Sequence, residues 1–509
     1  MSTRIAFTED QFRPMVDALA LEHESAAVIA ATMMVEAITP GREVAVADPT
    51  TPASAYVPDT ALLITDVTWV PQDAYLRRTG FGLTIRSTGW VPAVRAAIRE
   101  GQVPVFVHTH PGGHAEFSEW DDTVDQQLGA AAQDLGAPAY ASIVIAGTPA
   151  VPAVVARMCR FPFAADRGAS QGLKFEDVDA VRVAGASIRL HLPPAGPGPR
   201  DIQVSKGPQD QEGAGEAAEY EVFDRQVRML GVDGQRTLAA LNVAVIGAGG
   251  TGSAVAGQLV RIGVGRITLV DDDVVTAATP TRGHGIRLAD LGQPKVDVLG
   301  EHLRDIGFGT QVEAINAPLH HPDALRAIAY ADVVFSCVDG HGGRMILNRF
   351  AYAHLVPVID LAVLVSPSLD GRVEIDERVT WVAPGTACML CRGRLNPARA
   401  YAENLDPEAR KRLAGEGYVL DVETPQPAVV TLTTLIASLG TTEFLLRLTG
   451  LGSPEPTEFI LRPHLGELRR NQRPQRTGCF CAEPKFLGRG QQRPYLDLMW
   501  SDSGEASAS

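Results

Sequence analysis

Over the first half of the chain, apolar and polar positions alternate in short blocks that close on turn residues. Ala26–Val35, Ala61–Val70 and Val103–His108 are apolar runs of strand length and read as strands. Trp90–Glu100 has helical spacing, and Pro138–Ile145 and Pro152–Met158 read as two further strands. Helices and strands interleaved in this way predict an α+β or α/β unit. The pattern stops at Pro193–Ala217, which is rich in Pro, Gly and charge, has no apolar period and reads as a linker. Beyond it the order is strand, helix, strand: Val243–Ile246, Ser253–Ile262 and Arg266–Val270. Such a unit builds a parallel sheet with a right-handed crossover. Val429–Leu448 is a later apolar helix, and Ser501–Ser509 a polar, fraying end.

Composition narrows the class of protein. A chain of 509 residues holds two to four domains at roughly 100–200 residues each. With 45% hydrophobic and 21% charged residues it is globular, not disordered, collagen-like or coiled-coil. A net charge of −15 argues against nucleic acid as a partner. The longest apolar run, around Ser25–Val35, is too short to span a membrane, and the opening residues lack a signal pattern. A cytoplasmic protein is therefore expected. Six cysteines in such a chain point to metal or catalytic chemistry, not a disulfide framework.

The first candidate chemistry lies before the linker. His108 and His110 sit two apart on a predicted strand, so both imidazoles leave from one side and can share a metal ion. Pro111 and two glycines end the strand, and Ser118 can cap a helix that carries Asp121 one turn on. Two His and one carboxylate are a catalytic zinc set with a position left for water. The spacing His108-Thr109-His110-Pro111, seven residues from His110 to Ser118, then two to Asp121, resembles the JAMM (JAB/MPN) metalloproteases. The resemblance implies zinc-assisted cleavage of a peptide or isopeptide bond at the tail of a ubiquitin-like protein. It also implies that Ser118 helps hold the oxyanion and that an upstream glutamate is the general base. Glu24 fits that glutamate best, with Glu22 and Glu36 as rivals.

After the linker, Gly247, Gly249, Gly250 and Gly252 follow a strand and open a helix, a phosphate-binding arrangement. Asp271 ends the next strand 19 residues past Gly252, where a carboxylate can hold ribose hydroxyls. Around it, Phe223–Gln235, Asp271-x-Asp273, Arg282, Asp290–Lys295 and Ser336–Asp339 resemble the ThiF/MoeB/ubiquitin-activating superfamily over about residues 219–485. That resemblance implies adenylation of the C-terminal glycine of a ubiquitin-like or sulfur carrier protein by ATP. It assigns phosphate contacts to Arg282 and Lys295, ribose to Asp271, Mg²⁺ to Asp339, and a contact across a homodimer to Arg225. Asp273 is either part of this site or an ordinary turn carboxylate. Thr279 and Gly283 depart from the family pattern, as asparagine and glutamine are usual there.

Cys388 and Cys391 resemble the first zinc pair of that family, and Cys479 and Cys481 fall where the second belongs, as C-x-C instead of C-x-x-C. A closed, structural zinc site is expected. The family's nucleophilic cysteine is missing; Glu423 is the aligned residue, and Cys159 and Cys337 are read as packed. The expectation is an α/β chain: a JAB/MPN α+β domain over 1–192, a linker over 193–217, a Rossmann-like ThiF domain over 218–485 and a tail over 486–509. It would need ATP, Mg²⁺ and two zinc ions, and act as a homodimer with a separate conjugating enzyme or sulfur donor. On this reading the linker keeps one site near the product of the other. The alternatives are sulfur-carrier activation for cofactor or siderophore synthesis, and a docking role for an inactive JAMM half.

Overall fold

The computed structural model describes residues 3–35, 60–80, 82–161, 172–193, 222–367, 373–405, 407–415 and 427–490. Most of the expected linker, residues 194–217, lies outside them, as do Glu36 and Glu423.

The N-terminal half is built on β1 (Thr3–Thr8), β2 (Ala26–Val35), β3 (Thr60–Trp69), the hairpin β4 (Tyr75–Thr79) and β5 (Gly82–Ile85), β6 (Val103–Pro111), β7 (Ala139–Thr148), β8 (Val151–Arg160), β9 (Glu176–Asp177), β10 (Ala180–Ala184) and β11 (Ile188–His191). All but the hairpin join one sheet in the order β11-β10-β1-β3-β2-β6-β7-β8-β9. Helices α1 (Glu9–Asp17), α2 (Val91–Arg99) and α3 (Glu119–Asp134) accompany it. Alternation along the strands turns Ile5, Phe7, Ile29, Leu62 and Val105 into one core with Phe12 of α1. β6 outruns its apolar pattern and carries both histidines as far as Pro111, because its parallel partner β7 continues alongside to Gly147.

The C-terminal half alternates strand and helix: α4 (Asp224–Ala240), β12 (Asn242–Ile246), α5 (Gly250–Arg261), β13 (Arg266–Val270), α6 (Lys295–Asp305), β14 (Gln311–Ile315), α7 (Pro322–Ile328), β15 (Val333–Ser336), α8 (His341–Ala353) and β16 (Val358–Pro367). Then come β17 (Val373–Val382), α9 (Pro397–Glu403), α10 (Pro407–Gly415), α11 (Val430–Thr449), β18 (Glu458–Arg462) and β19 (Glu467–Asn471). The sheet order is β14-β13-β12-β15-β16-β17-β18-β19, parallel as far as β16 and antiparallel beyond. The order reverses at β12, whose neighbours β13 and β15 lie on opposite sides. A crevice opens at such a switch point, at the carboxyl ends of the strands. No helix among the described residues is long and apolar enough to cross a membrane.

The two halves are packed on each other, which a tethered pair would not require. Asp332, fully buried just before β15, accepts from Arg4 of β1, from Arg182 of β10 at 3.2 Å and from its own Asn242 N–H at 2.9 Å. Trp381 of β17 donates its indole N–H to Gly185 O at 2.7 Å. Ile188 of β11 belongs to the core of the C-terminal half, together with Leu238, Val243 and Phe444. The segment after residue 485, read from sequence as the start of a tail, adds to this seam. Gly488 and Gly490 donate to Tyr352 O at 3.1 Å and Ala353 O at 2.8 Å. A Cβ on Gly488 would come within 2.7 Å of Ile64 O in the N-terminal half.

Candidate functional site

Two clefts carry the chemistry. In the N-terminal one, β6 presents His108 and His110 from the same face, with their Nε2 atoms 3.1 Å apart. Asp121 reaches them from the first turn of α3, its Oδ1 3.1 Å from His108 Nε2 and its Oδ2 3.9 Å from His110 Nε2. Ser118 fixes that turn. Its Oγ accepts from Asp121 N–H at 3.2 Å, and Asp121 Oδ2 accepts from Ser118 N–H at 2.8 Å and Ser118 Oγ–H at 2.7 Å. This is a reciprocal cap with an aspartate in the third position, and it commits the Ser118 hydroxyl proton to Asp121. Burial opposes ionisation of Asp121, but the bonds and charge of His108 and the Ser118 bonds outweigh it, and its pKa falls well below the usual range. Glu24, 5% exposed, lines the same cleft just before β2. Burial pushes its carboxyl up to about 7, with the charge of His108 opposing and that of Asp121 adding. Of its rivals, Glu22 is exposed and absent from the cleft lining. The cleft holds about 670 Å³, its walls mostly apolar through Trp90, Phe106, Trp120 and Leu128. The two imidazoles and the carboxylate offer ligand atoms within 4.8 Å of one another. That donor set suits zinc with an open position.

The second cleft opens where β12 turns into α5. Gly247 takes φ +96°, and a Cβ there would lie 2.7 Å from Cys337 O. A Cβ on Gly252 would lie 1.7 Å from Gly247 O, so the turn admits no side chain at either position. Asp271, at the end of β13, accepts from Ala248 N–H at 2.6 Å and Asp273 N–H at 2.8 Å, bracing the turn. Burial raises its pKa, with the charge of Lys295 opposing. Lys295, at the start of α6, places Nζ 2.6 Å from Asp273 Oδ2 and 3.9 Å from Asp271 Oδ1. Gly247, Gly249, Gly250, Asp271, Asp273, Arg282, Lys295 and Asp339 all line one cavity of about 560 Å³. Gly252 lies behind it as a packing residue. Arg225 is exposed on α4 and does not line this cavity. Thr279 is buried, its hydroxyl bonded within its own turn to Thr276 N–H at 3.0 Å.

Arg378 also lines this cavity, with Asp360 buried behind it, and both escape a motif search. Asp360, fully buried, accepts from Arg344 Nε at 2.9 Å, Arg378 Nη2 at 3.0 Å and Ser336 Oγ at 2.9 Å. The pairing of β16 with β17 puts Arg378 opposite Ala362, and only that register brings it there. Arg344 follows the strand end on α8. Arg394 and Arg399 extend the cationic lining.

The four cysteines form a closed cluster, Cys388 to Cys479 and Cys391 to Cys481 each 3.6 Å between sulfurs. Arg476 N–H points at Cys391 Sγ from 3.3 Å, and Asn348 Oδ1 accepts Met389 N–H at 2.8 Å, holding the first pair's turn. The shorter C-x-C spacing closes the cluster because Phe480–Ala482 is a 3₁₀ turn. Cys337 lines the cavity at the glycine turn, and burial, with Asp360 adding, pushes its thiol above the usual range. Burial likewise raises Cys159.

Comparison with known proteins places both halves. Residues 223–480 match the model of the ThiF family, slightly more than half of the chain. The chain belongs to the ThiF family. Residues 18–160 match the prokaryotic homologues of the JAB domain, so a JAB domain precedes the ThiF domain. The ThiF half is similar to molybdopterin-synthase adenylyltransferase of Escherichia coli, at 28% identity over 47% of this chain and 86% of that one. It is also similar to the SAMP-activating enzyme E1 of Haloferax volcanii, at 26% identity over 35% of this chain and 63% of that one. Among solved structures, E. coli MccB with ATP matches at a TM-score of 0.40 and 17% identity, over 51% of this chain and 73% of that one. The ThiF domain is thus an adenylyltransferase-type Rossmann-like fold whose glycine turn, Arg282, Lys295 and Asp339 share one crevice, with Arg225 outside it.

Proposed function

We propose that the chain performs two reactions on one class of substrate. Its ThiF half adenylates the C-terminal glycine of a ubiquitin-like or sulfur carrier protein, using ATP and Mg²⁺. Its JAB half trims or deconjugates the tail of such a protein as a zinc peptidase. The observation that carries this reading is the convergence of the glycine turn, Arg282, Lys295 and Asp339 on the crevice at the sheet's switch point.

In the first reaction the glycine carboxylate attacks the α-phosphorus of ATP. An acyl–phosphate bond forms, and the bond to the β-phosphate breaks to release pyrophosphate. Lys295 and Arg282 neutralise the charge that accumulates as pyrophosphate leaves. Lys295 gives up its 2.6 Å contact with Asp273 to do so. Asp339 offers an oxygen ligand of the kind Mg²⁺ prefers, and Asp271 takes the ribose hydroxyls. Arg225, exposed on α4, serves the crevice of a second copy in a homodimer. In the second reaction a zinc ion, when bound, supplies a Lewis acid and lowers the pKa of water. His108, His110 and Asp121 hold it. Glu24 takes a proton from water and passes it to the leaving amine, and Ser118 fixes Asp121 through its cap.

Similarity to adenylyltransferases, one of them named for a sulfur carrier protein, favours a sulfur carrier as substrate. The JAB half favours a conjugated ubiquitin-like protein. The two are told apart by the acceptor of the adenylate: a sulfide donor in the first case, a conjugating-enzyme cysteine in the second. For the adenylation reading, Lys295→Ala and Asp339→Ala should each abolish ATP–pyrophosphate exchange with a diglycine-ended carrier protein while zinc content stays at two per chain. Wild-type exchange in either variant refutes it, and one zinc per chain in the wild type would support the docking role for the JAB half.

A further inference from the structure

The hairpin β4–β5 stands over the JAB cleft, and one of its side chains has an unusual set of partners. Arg78 donates from Nε to Glu24 O at 2.7 Å, from Nη2 to Ser25 Oγ at 2.6 Å and from Nη1 to Gln72 Oε1 at 2.8 Å. Its guanidinium lies 4.6 Å from the centre of the Tyr75 ring. The Tyr75 hydroxyl accepts from Ala26 N–H at 3.0 Å. Among the described residues no carboxylate lies within 4.0 Å of the Arg78 guanidinium. A half-buried arginine thus directs its donors at neutral acceptors, two of them on the short stretch Glu24–Ser25.

That stretch is gripped from the other side by the metal-ligand strand. Ser25 N–H donates to Thr109 Oγ1 at 2.9 Å, and Thr109 N–H donates to Ser25 O at 3.0 Å. Thr109 lies between His108 and His110. Glu24 N–H in turn donates to Thr79 O at 2.9 Å, one residue past Arg78. The backbone that carries Glu24 is therefore clamped between the two histidines and the hairpin. Arg78 touches its carbonyl and its neighbour's hydroxyl, not its carboxylate.

Resting on the reading of this cleft as a peptidase centre, we propose that Arg78 is a positioning residue for Glu24. Through its fork to Glu24 O and Ser25 Oγ it holds the glutamate at a fixed place relative to His108, His110 and Asp121. The planar fork is what the geometry requires. A lysine keeps the charge but is a point donor on a flexible stem and cannot span both acceptors.

The test uses the zinc-loaded full chain, a tetrapeptide ending in Gly-Gly-aminomethylcoumarin as substrate, and the variants Arg78→Ala and Arg78→Lys. Both are expected to lower kcat by about 10–100-fold, the usual cost of removing an outer-shell partner. KM and zinc content should remain within about twofold. Amide exchange at Ser25 and Ala26 should quicken at least ~10-fold in both, while the amides of α3 keep their protection. Wild-type kcat in both variants overturns the proposal, and so does full activity in Arg78→Lys, because charge alone would then suffice. If Arg78→Ala loses its zinc and with it the fold, Arg78→Lys carries the test. If the zinc-loaded wild type leaves the peptide uncut, the peptidase reading fails by itself, and the exchange experiment decides the role of Arg78. Unchanged exchange at Ser25 and Ala26 then overturns it.

Discussion

Replacing Asp332 with alanine should loosen the two halves of the molecule from each other. The side chain is fully buried, and Arg182, its partner at 3.2 Å, is 4% exposed. Removing the carboxylate strands a buried guanidinium, which costs about 3–5 kcal/mol when one member of a buried pair is lost. It also leaves Asn242 N–H without its 2.9 Å acceptor, a group worth about 1–3 kcal/mol when buried and unsatisfied. These terms share one site and do not add, so a loss of about 3–5 kcal/mol is expected for Asp332→Ala. Arg4→Ala should cost less, since that side chain is 15% exposed. The double variant Asp332→Leu/Arg182→Met should be less destabilised than Asp332→Leu alone, because the fully buried guanidinium goes with its carboxylate and only Arg4, 15% exposed, is left without that partner. Urea unfolding measures Asp332→Ala, Arg4→Ala and the cycle of Asp332→Leu, Arg182→Met and their double variant, followed by tryptophan fluorescence, to which Trp381 contributes from the seam. A shift of under ~1 kcal/mol for Asp332→Ala, or strict additivity in the cycle, refutes the reasoning.

Three further outcomes are expected. Glu24→Gln should retain zinc and lose ~10²–10⁴-fold in peptide cleavage; if Glu22→Gln is the inactive variant instead, the base is misassigned. Incubation with ATP, Mg²⁺ and a carrier protein should give no reducing-agent-labile adduct on this chain, because burial holds the thiols of Cys337 and Cys159 protonated; an adduct lost in Cys337→Ala or Cys159→Ala contradicts this. Burial lowers His191 to about 4 and His354 to about 3 from 6.5. The unfolded chain therefore takes up protons first as pH falls below 6.5, and stability should drop by about 1.4 kcal/mol per pH unit for each histidine down to its folded pKa. Urea midpoints at pH 7 and pH 5 measure this, and an unchanged pH dependence in His354→Gln would refute the assignment to that residue.

Local chemistry was the legible part of the sequence. The glycine turn and Asp271 could be placed because strand, turn and helix succeed one another within one short stretch, and β13 runs over Arg266–Val270 as its apolar pattern indicates. Ser118 reads as a helix cap for the same reason, since the cap and its partner Asp121 are neighbours in the chain. What depends on distant pairing could not be read. β1 has only six residues and is stabilised by β3 and β10, which lie far along the sequence. Asp360 and Arg378 meet through the register of two long strands, and nothing in their immediate neighbours announces a buried ion cluster. Arg4 and Arg182 look like surface charges in sequence; their partner lies 328 and 150 residues away. Contact between the two halves through those residues is therefore a feature that the order of elements along the chain does not announce.

The seam also bears on how such a gene could be divided. Contacts among the described residues, through Asp332, Trp381, Ile188 and Gly488, join the halves on either side of residues 194–221. A chain nicked in that stretch should remain a single particle on a sizing column. Either half made alone would bare Arg182 or Asp332 as an unpaired charge beside freshly exposed apolar side chains, and would be a poor soluble product. Two open reading frames, expressed together and split at this point, should instead find each other and rebuild the whole.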